Sequence, residues 1–140
     1  MNNVPTWNEY YINMCHIIKT RSKDPKRQVG ACLVSLKDNR VISCGFNGLM
    51  KGANDLIDWN DRELVNDYVL HAEQNALLHS NSKFEDTILY SSTSPCKQCI
   101  KLIAAANIKK IMYDEEYKDI VKVREICNFY NIELIKYIKN

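Results

Sequence analysis

Two short stretches, His71-Ala72-Glu73 and Cys96-Lys97-Gln98-Cys99, restrict this 140-residue chain more than any other part of it. One imidazole and two thiols make three ligands for zinc, and three leave a tetrahedral ion one open position. A structural zinc is normally closed by four protein ligands. The second Cys-x-x-Cys that would close it is missing, and His16 and His79 lie outside any recognisable motif. Glu73 supplies a carboxylate where a water on the ion needs a proton carrier. Each half alone has a blander reading: Cys-x-x-Cys as a redox pair or half a zinc finger, His-x-Glu as helix packing. Together they point to a catalytic zinc, and the fold must bring two distant segments to one point.

The apolar pattern shows how a fold can do this. Trp7, Tyr10, Tyr11, Met14, Ile17 and Ile18 recur at helical spacing and predict an amphipathic helix over 7–20. Val29–Val34 and Val41–Phe46, separated by Lys37-Asp38-Asn39-Arg40, read as a hairpin. A helix is expected from about Leu70 through His79, strands over 87–91, 111–113 and 132–138, and helices over 96–106 and 120–130. Pro95 precedes the first of these last two, as suits a helix start. Strands alternating with helices imply a mixed sheet covered on its faces. The expected architecture is one α/β domain spanning 1–140, a three-layer α/β/α sandwich with a five-stranded mixed sheet. If the helices carrying His71 and Cys96 pack on one sheet face, their N-termini can meet at the metal. The positive end of a helix favours thiolates there.

The stretch from Asn47 to Val69 has no clear long element, and ordered segments of that length tend to be functional. Asp61–Val69 has the pattern of a short helix. Asp55, Asp58, Asp61, Glu63 and Asp67 make the stretch acidic, a surface expected to repel a nucleic-acid backbone near the site mouth.

Six cysteines do not imply disulfides here. No secretory signal is legible at Met1-Asn2-Asn3-Val4-Pro5, and no apolar run approaches bilayer length. Cys15, Cys32, Cys44 and Cys127 lie in apolar segments and are expected to be small buried hydrophobes. A reducing, cytoplasmic location is the expectation. The net charge of +2 is a weak footprint for a polynucleotide binder, since the basic clusters at 19–26 and 109–110 are short. No nucleic-acid or membrane partner is expected.

Further stretches narrow the reading: Arg21-Ser22-Lys23-Asp24-Pro25, Gln28-Val29-Gly30-Ala31-Cys32, Gly45-Phe46-Asn47-Gly48, His71-Ala72-Glu73-Gln74-Asn75-Ala76 and Ser94-Pro95-Cys96-Lys97-Gln98-Cys99. Lys101-Leu102-Ile103 and Ile108-Lys109-Lys110 extend them. With these residues the chain resembles the deoxycytidylate (dCMP) deaminases of the zinc-dependent cytidine/deoxycytidylate deaminase superfamily, from about Tyr11 to Tyr137. The resemblance implies a cytidine deaminase-like fold and one catalytic Zn2+ on His71, Cys96 and Cys99. It implies hydrolysis of dCMP to dUMP and ammonia with Glu73 as proton shuttle, feeding thymidylate synthesis. It also implies substrate contacts at Ser22, Lys23, Asn47, Ala72, Ser94 and Tyr117, with Asn47 on the sugar and Tyr117 closing over the base. Members are commonly homohexamers activated by dCTP and inhibited by dTTP. That places an effector site on Gly45, Phe46, Asn47, Gly48, Lys51 and Gly52, with Mg2+ accompanying a triphosphate effector. Phe46 and Met50 depart from the usual tyrosine and proline of that loop.

Four alternatives share parts of the pattern. A dCTP-using enzyme differs only in phosphate number. An editing deaminase acting on tRNA or single-stranded DNA would want a basic groove and stacking aromatics. A free-nucleoside deaminase needs no phosphate-holding pair such as Ser22 and Lys23, the residues that the resemblance puts on the nucleotide and its phosphate. A silent zinc-stabilised module has no use for Glu73.

Overall fold

The computed structural model describes residues 3–53, 56–80 and 84–139; Asp55, one of the acidic residues noted above, lies outside them. In chain order the elements are α1 (Trp7–Lys19), β1 (Gly30–Ser35), β2 (Val41–Phe46), α2 (Arg62–Tyr68), α3 (Ala72–Leu78), β3 (Thr87–Thr93), α4 (Lys97–Ala105), β4 (Lys110–Glu115), α5 (Ile120–Phe129) and β5 (Glu133–Lys136). The hairpin, the helices and the five strands expected from the pattern are present, their ends moved by a few residues. The short helix in the acidic stretch is α2, whose N-cap Asp61 accepts a hydrogen bond from the Leu64 N–H at 3.1 Å.

The sheet runs in the order β2-β1-β3-β4-β5. β1 is antiparallel to both β2 and β3, whereas β3, β4 and β5 are mutually parallel. Parallel neighbours need a crossover, and α4 and α5 supply the two. Side chains along a strand alternate between faces, and that alternation divides the core in two. Ala31, Leu33, Leu89 and Ile111 pack with Ala72 and Ala76 of α3, Cys99, Ile100 and Ile103 of α4, and Val123 and Cys127 of α5. Their sequence neighbours Cys32, Val34, Ile88, Tyr90 and Met112 pack with Tyr11, Ile12 and Cys15 of α1 on the other face. The result is the three-layer sandwich, with α3 and α4 on the same face. Each fully buried aliphatic side chain contributes roughly 1.5–3 kcal/mol, so neither layer is dispensable.

One expectation fails. Cys15, Cys32 and Cys127 are buried, but Cys44 is exposed. It lies directly across from Cys32 on edge strand β2, with the two sulfurs 4.0 Å apart. α1 packs chiefly over β1 and β3, so the edge strand's side of that face stays open. The other side of β2 is covered by α3, and there the fit is close. A Cβ on Gly45 would lie 2.4 Å from the Ala72 carbonyl oxygen and 2.6 Å from the Ala76 nitrogen. Gly45 is therefore what lets the first turn of α3 sit on the sheet. Gly45→Ala is expected to cost about 1–3 kcal/mol, as overpacking does, and to lower Tm by several degrees in a thermal melt. An unchanged Tm would mean that α3 is free to shift. Among the described residues no helix is long and apolar enough to cross a membrane.

Candidate metal centre and active site

Both motifs sit at helix starts. His71 is the N-cap of α3 and Cys96 the N-cap of α4, while Cys99 lies in the first turn of α4. The Gln74 side chain accepts the His71 N–H at 2.8 Å and fixes the entry into α3. Because α3 and α4 share a sheet face, the two helix starts converge. The ligand atoms of His71, Cys96 and Cys99 lie within 4.8 Å of one another. His71 Nδ1 is 3.4 Å from Cys96 Sγ and 3.2 Å from Cys99 Sγ. Zinc bonds of about 2.3 Å to sulfur and 2.0–2.1 Å to nitrogen put tetrahedral ligands about 3.5 Å apart, so this set fits the ion.

Charge at the cluster follows from contact. Hydrogen bonding from the Cys99 thiol, reinforced by His71, outweighs burial and pulls Cys96 down to about 3. The same sharing with Cys96, together with burial, pushes the Cys99 thiol up. Hydrogen bonding to Cys96 raises the His71 imidazole. Zinc takes both sulfurs as thiolates, so loading the ion must displace the proton that the pair shares.

Glu73, in the first turn of α3, is only 4% exposed. Burial pushes its carboxyl above the usual range. The Ser91 hydroxyl sits 3.2 Å from Glu73 Oε1 and 2.7 Å from the Thr93 carbonyl oxygen, with one proton to serve both. His71, Glu73, Cys96, Ala72, Asn47, Ser94 and Tyr117 all line one cavity.

The other residues expected at the site fall into distinct positions. Asn47 reaches the cavity wall, but its amide is engaged: Oδ1 accepts the Val29 N–H and Nδ2 donates to the Arg27 carbonyl, both at 2.8 Å. Ser94 Oγ accepts the Tyr117 N–H at 2.7 Å and thereby holds the loop that carries Tyr117. Ser22 is buried outside the cavity lining, its hydroxyl donating to the Asn47 carbonyl at 2.8 Å. Lys23 is exposed and also outside the lining. In the 45–52 loop, Gly48 pairs with Leu70 through two 3.0 Å backbone hydrogen bonds, and Phe46, Lys51 and Gly52 are exposed. The Phe46 carbonyl accepts the Asn75 side-chain amide at 2.8 Å, tying the loop to α3.

Three charged residues in the wall were not foreseen: Asp24, Arg27 and Arg62. Arg62 meets Asp24 through two hydrogen bonds of 2.9 Å and also donates to the Trp59 carbonyl. Burial alone pushes the Asp24 carboxyl up, but the Arg62 guanidinium and the Lys26 and Arg27 N–H groups hold it below the usual range. The Arg27 guanidinium lies 3.4 Å over the Tyr117 ring. The acidic stretch consequently faces the site differently from the expectation. α2 turns Arg62, Val65 and Asn66 to the cavity, while Asp61, Glu63 and Asp67 are exposed and outside its lining.

Residues 5–115 match the family model of the cytidine and deoxycytidylate deaminase zinc-binding region. The chain belongs to that family. It is 36% identical over 121 residues to the deoxycytidylate deaminases of mouse and human, a match covering 81% of this chain and 67% of each relative. The crystal structure of the dCMP deaminase of cyanophage S-TIM5, in complex with dCMP and dUMP, superposes with a TM-score of 0.83 at 28% identity. That superposition covers 97% of this chain and all of the other. A zinc ion suits both the family and the His/Cys/Cys group assembled here.

Proposed function

We propose that this chain hydrolyses dCMP to dUMP and ammonia, with zinc on His71, Cys96 and Cys99 and with Glu73 as proton carrier. One observation carries the reading: the buried Glu73 carboxyl lines the same cavity as His71 and Cys96, two members of the three-ligand cluster. The 36% identity to deoxycytidylate deaminases supports the choice of substrate.

Zinc in such a site supplies a water acidic enough to act as a nucleophile at neutral pH. The protein does the rest. Two sulfur ligands soften the ion, which leaves more of the proton work to Glu73. Glu73 accepts the proton of the attacking water and delivers it to ring nitrogen 3 as carbon 4 becomes tetrahedral. It then passes the second proton to the departing amino group. A carboxyl whose pKa burial has raised accepts a proton more readily than a solvated carboxylate and can hold it between the two transfers. The Ala72 backbone and Tyr117 line the cavity where the base would lie.

The finer parts of the reading rest on the resemblance. These are a cytoplasmic homohexamer, a supply of dUMP for thymidylate synthesis, and regulation by dCTP with Mg2+ and by dTTP through the 45–52 loop. The exposure of Phe46, Met50, Lys51 and Gly52 is compatible with such an effector surface.

Ultraviolet monitoring of the zinc-loaded protein on deoxycytidine, dCMP, dCTP and a single-stranded oligonucleotide tests the assignment. The largest kcat/KM is expected on dCMP. Turnover confined to the oligonucleotide, or none on any substrate, would overturn it. Added dCTP is expected to sharpen the dCMP response and dTTP to depress it; a flat response to both rejects the effector part alone.

A further inference from the structure

The geometry points to Arg27 as the residue that recognises the 5′-phosphate and so makes this site select a nucleotide over a nucleoside. The inference rests on the proposed reaction and deepens it by naming what decides the substrate class.

Setting aside the His71–Glu73–Cys96 floor, the charged residues of the cavity are Asp24, Arg27 and Arg62. Asp24 and Arg62 neutralise each other through their paired 2.9 Å hydrogen bonds. Arg62 is therefore committed to a carboxylate. Arg27 has no ion pair among the described residues; the contact of its guanidinium is the face of Tyr117. A guanidinium stacked flat on an aromatic ring keeps its N–H edge available for an anion, and that fork matches phosphate geometry.

The backbone is built to present this side chain. The Arg27 N–H donates to Asp24 Oδ1 at 3.2 Å, and the Arg27 carbonyl accepts from Asn47 Nδ2 at 2.8 Å. Asp24 and Asn47 are thus positioning residues: Asn47 spends its amide on the loop 24–29, and Asp24 divides its carboxylate between that loop and Arg62. Their engagement leaves Arg27 as the group with unspent hydrogen-bonding capacity for a negative ligand. Tyr117 is held in turn by Ser94 through its own N–H. The stack therefore joins two fixed loops.

Arg27 and Tyr117 line both the catalytic cavity and an outer depression beside it. That outer depression also carries Lys19, Lys26, Glu115 and Glu116, the last paired with Arg124 at 2.8 Å, so it is cationic on balance. An anionic tail leaving the catalytic cavity on this side passes Arg27, the cation that lines both.

The test compares Arg27→Met, which keeps an unbranched side chain on Tyr117 without the charge, with Arg27→Lys and the wild type. The readout is the ratio of kcat/KM for dCMP to that for deoxycytidine. Arg27→Met is expected to lower this ratio about 10–10²-fold, the loss of a hydrogen bond to a charged group. Arg27→Lys should recover part of it. A ratio unchanged in Arg27→Met, with both substrates losing equally, would reduce Arg27 to a packing residue and overturn the inference. Calorimetric binding of dUMP and deoxyuridine to the same three proteins gives a ratio independent of turnover. If the wild type deaminates neither substrate, the proposed reaction fails. The phosphate assignment then stands or falls on whether preference for dUMP over deoxyuridine disappears in Arg27→Met.

Discussion

Glu73→Gln is expected to bind zinc as the wild type does and to lose at least about 10²–10⁴-fold in kcat, the usual share of a general acid–base group. Glutamine matches glutamate in size, so the contact with Ser91 and the first turn of α3 survive, while the titratable proton is gone. The site is closed enough that bulk water is a poor substitute, since Glu73 is 4% exposed. Zinc content by metal analysis separates this outcome from loss of the ion. Near-normal turnover with zinc in place would remove Glu73 from the mechanism. A stability signature accompanies the kinetic one in chelator-treated protein. Burial raises the folded-state pKa of Glu73 above its ordinary value of 4.5. Over the window between those values the folded protein keeps a proton that the unfolded chain has released. Stability then falls as pH rises. The glutamine variant lacks that dependence, so its Tm should gain on the wild type as pH increases from about 4.5, the ordinary pKa of this carboxyl.

The parts of the fold that were legible in the sequence share one property: their signal is local. Cys32 and Val34 alternate with Ala31 and Leu33 within a single strand, and that period is visible without any partner. The His71 and Cys96 helix starts are marked by a neighbouring motif and by Pro95. The cavity wall was not legible because it is made by contacts with no local period. Asp24 and Arg62 are 38 residues apart and meet only because α2 folds back over the loop after α1. Arg27 reads in the sequence as one more basic residue between Lys26 and Gln28; its value lies in Tyr117 being beneath it. Asn47 shows the converse. The Asn-Gly pair flags a turn, yet both ends of its amide serve the 27–29 backbone, which no spacing rule reveals. Cys44 failed for a related reason: hydrophobic residue type marks an edge strand and a central strand alike, and only topology decides which side is left uncovered.

Cys99→Ser is expected to abolish turnover and to drop zinc well below one ion per chain, while Cys127→Ser retains both. The two positions make a controlled pair. Cys99 and Cys127 are both buried in the same apolar layer, on α4 and α5, so each substitution places a hydroxyl in the core at similar cost. Only Cys99 has its sulfur 3.2 Å from His71 Nδ1. Serine cannot supply a thiolate, and two remaining ligands hold zinc far less tightly than three. The stability consequence follows from mass action. A ligand present at a hundred times its Kd adds about 2.7 kcal/mol to the folded state, and that increment disappears with the site. The Tm of Cys99→Ser should therefore fall to that of chelator-treated wild type and stop responding to added zinc. Loading of the wild type should also release protons, because both sulfurs bind the ion as thiolates, and should weaken as pH falls. If Cys99→Ser kept a full complement of zinc and normal turnover, the ion would have to sit elsewhere, and the convergence of α3 and α4 would be packing alone.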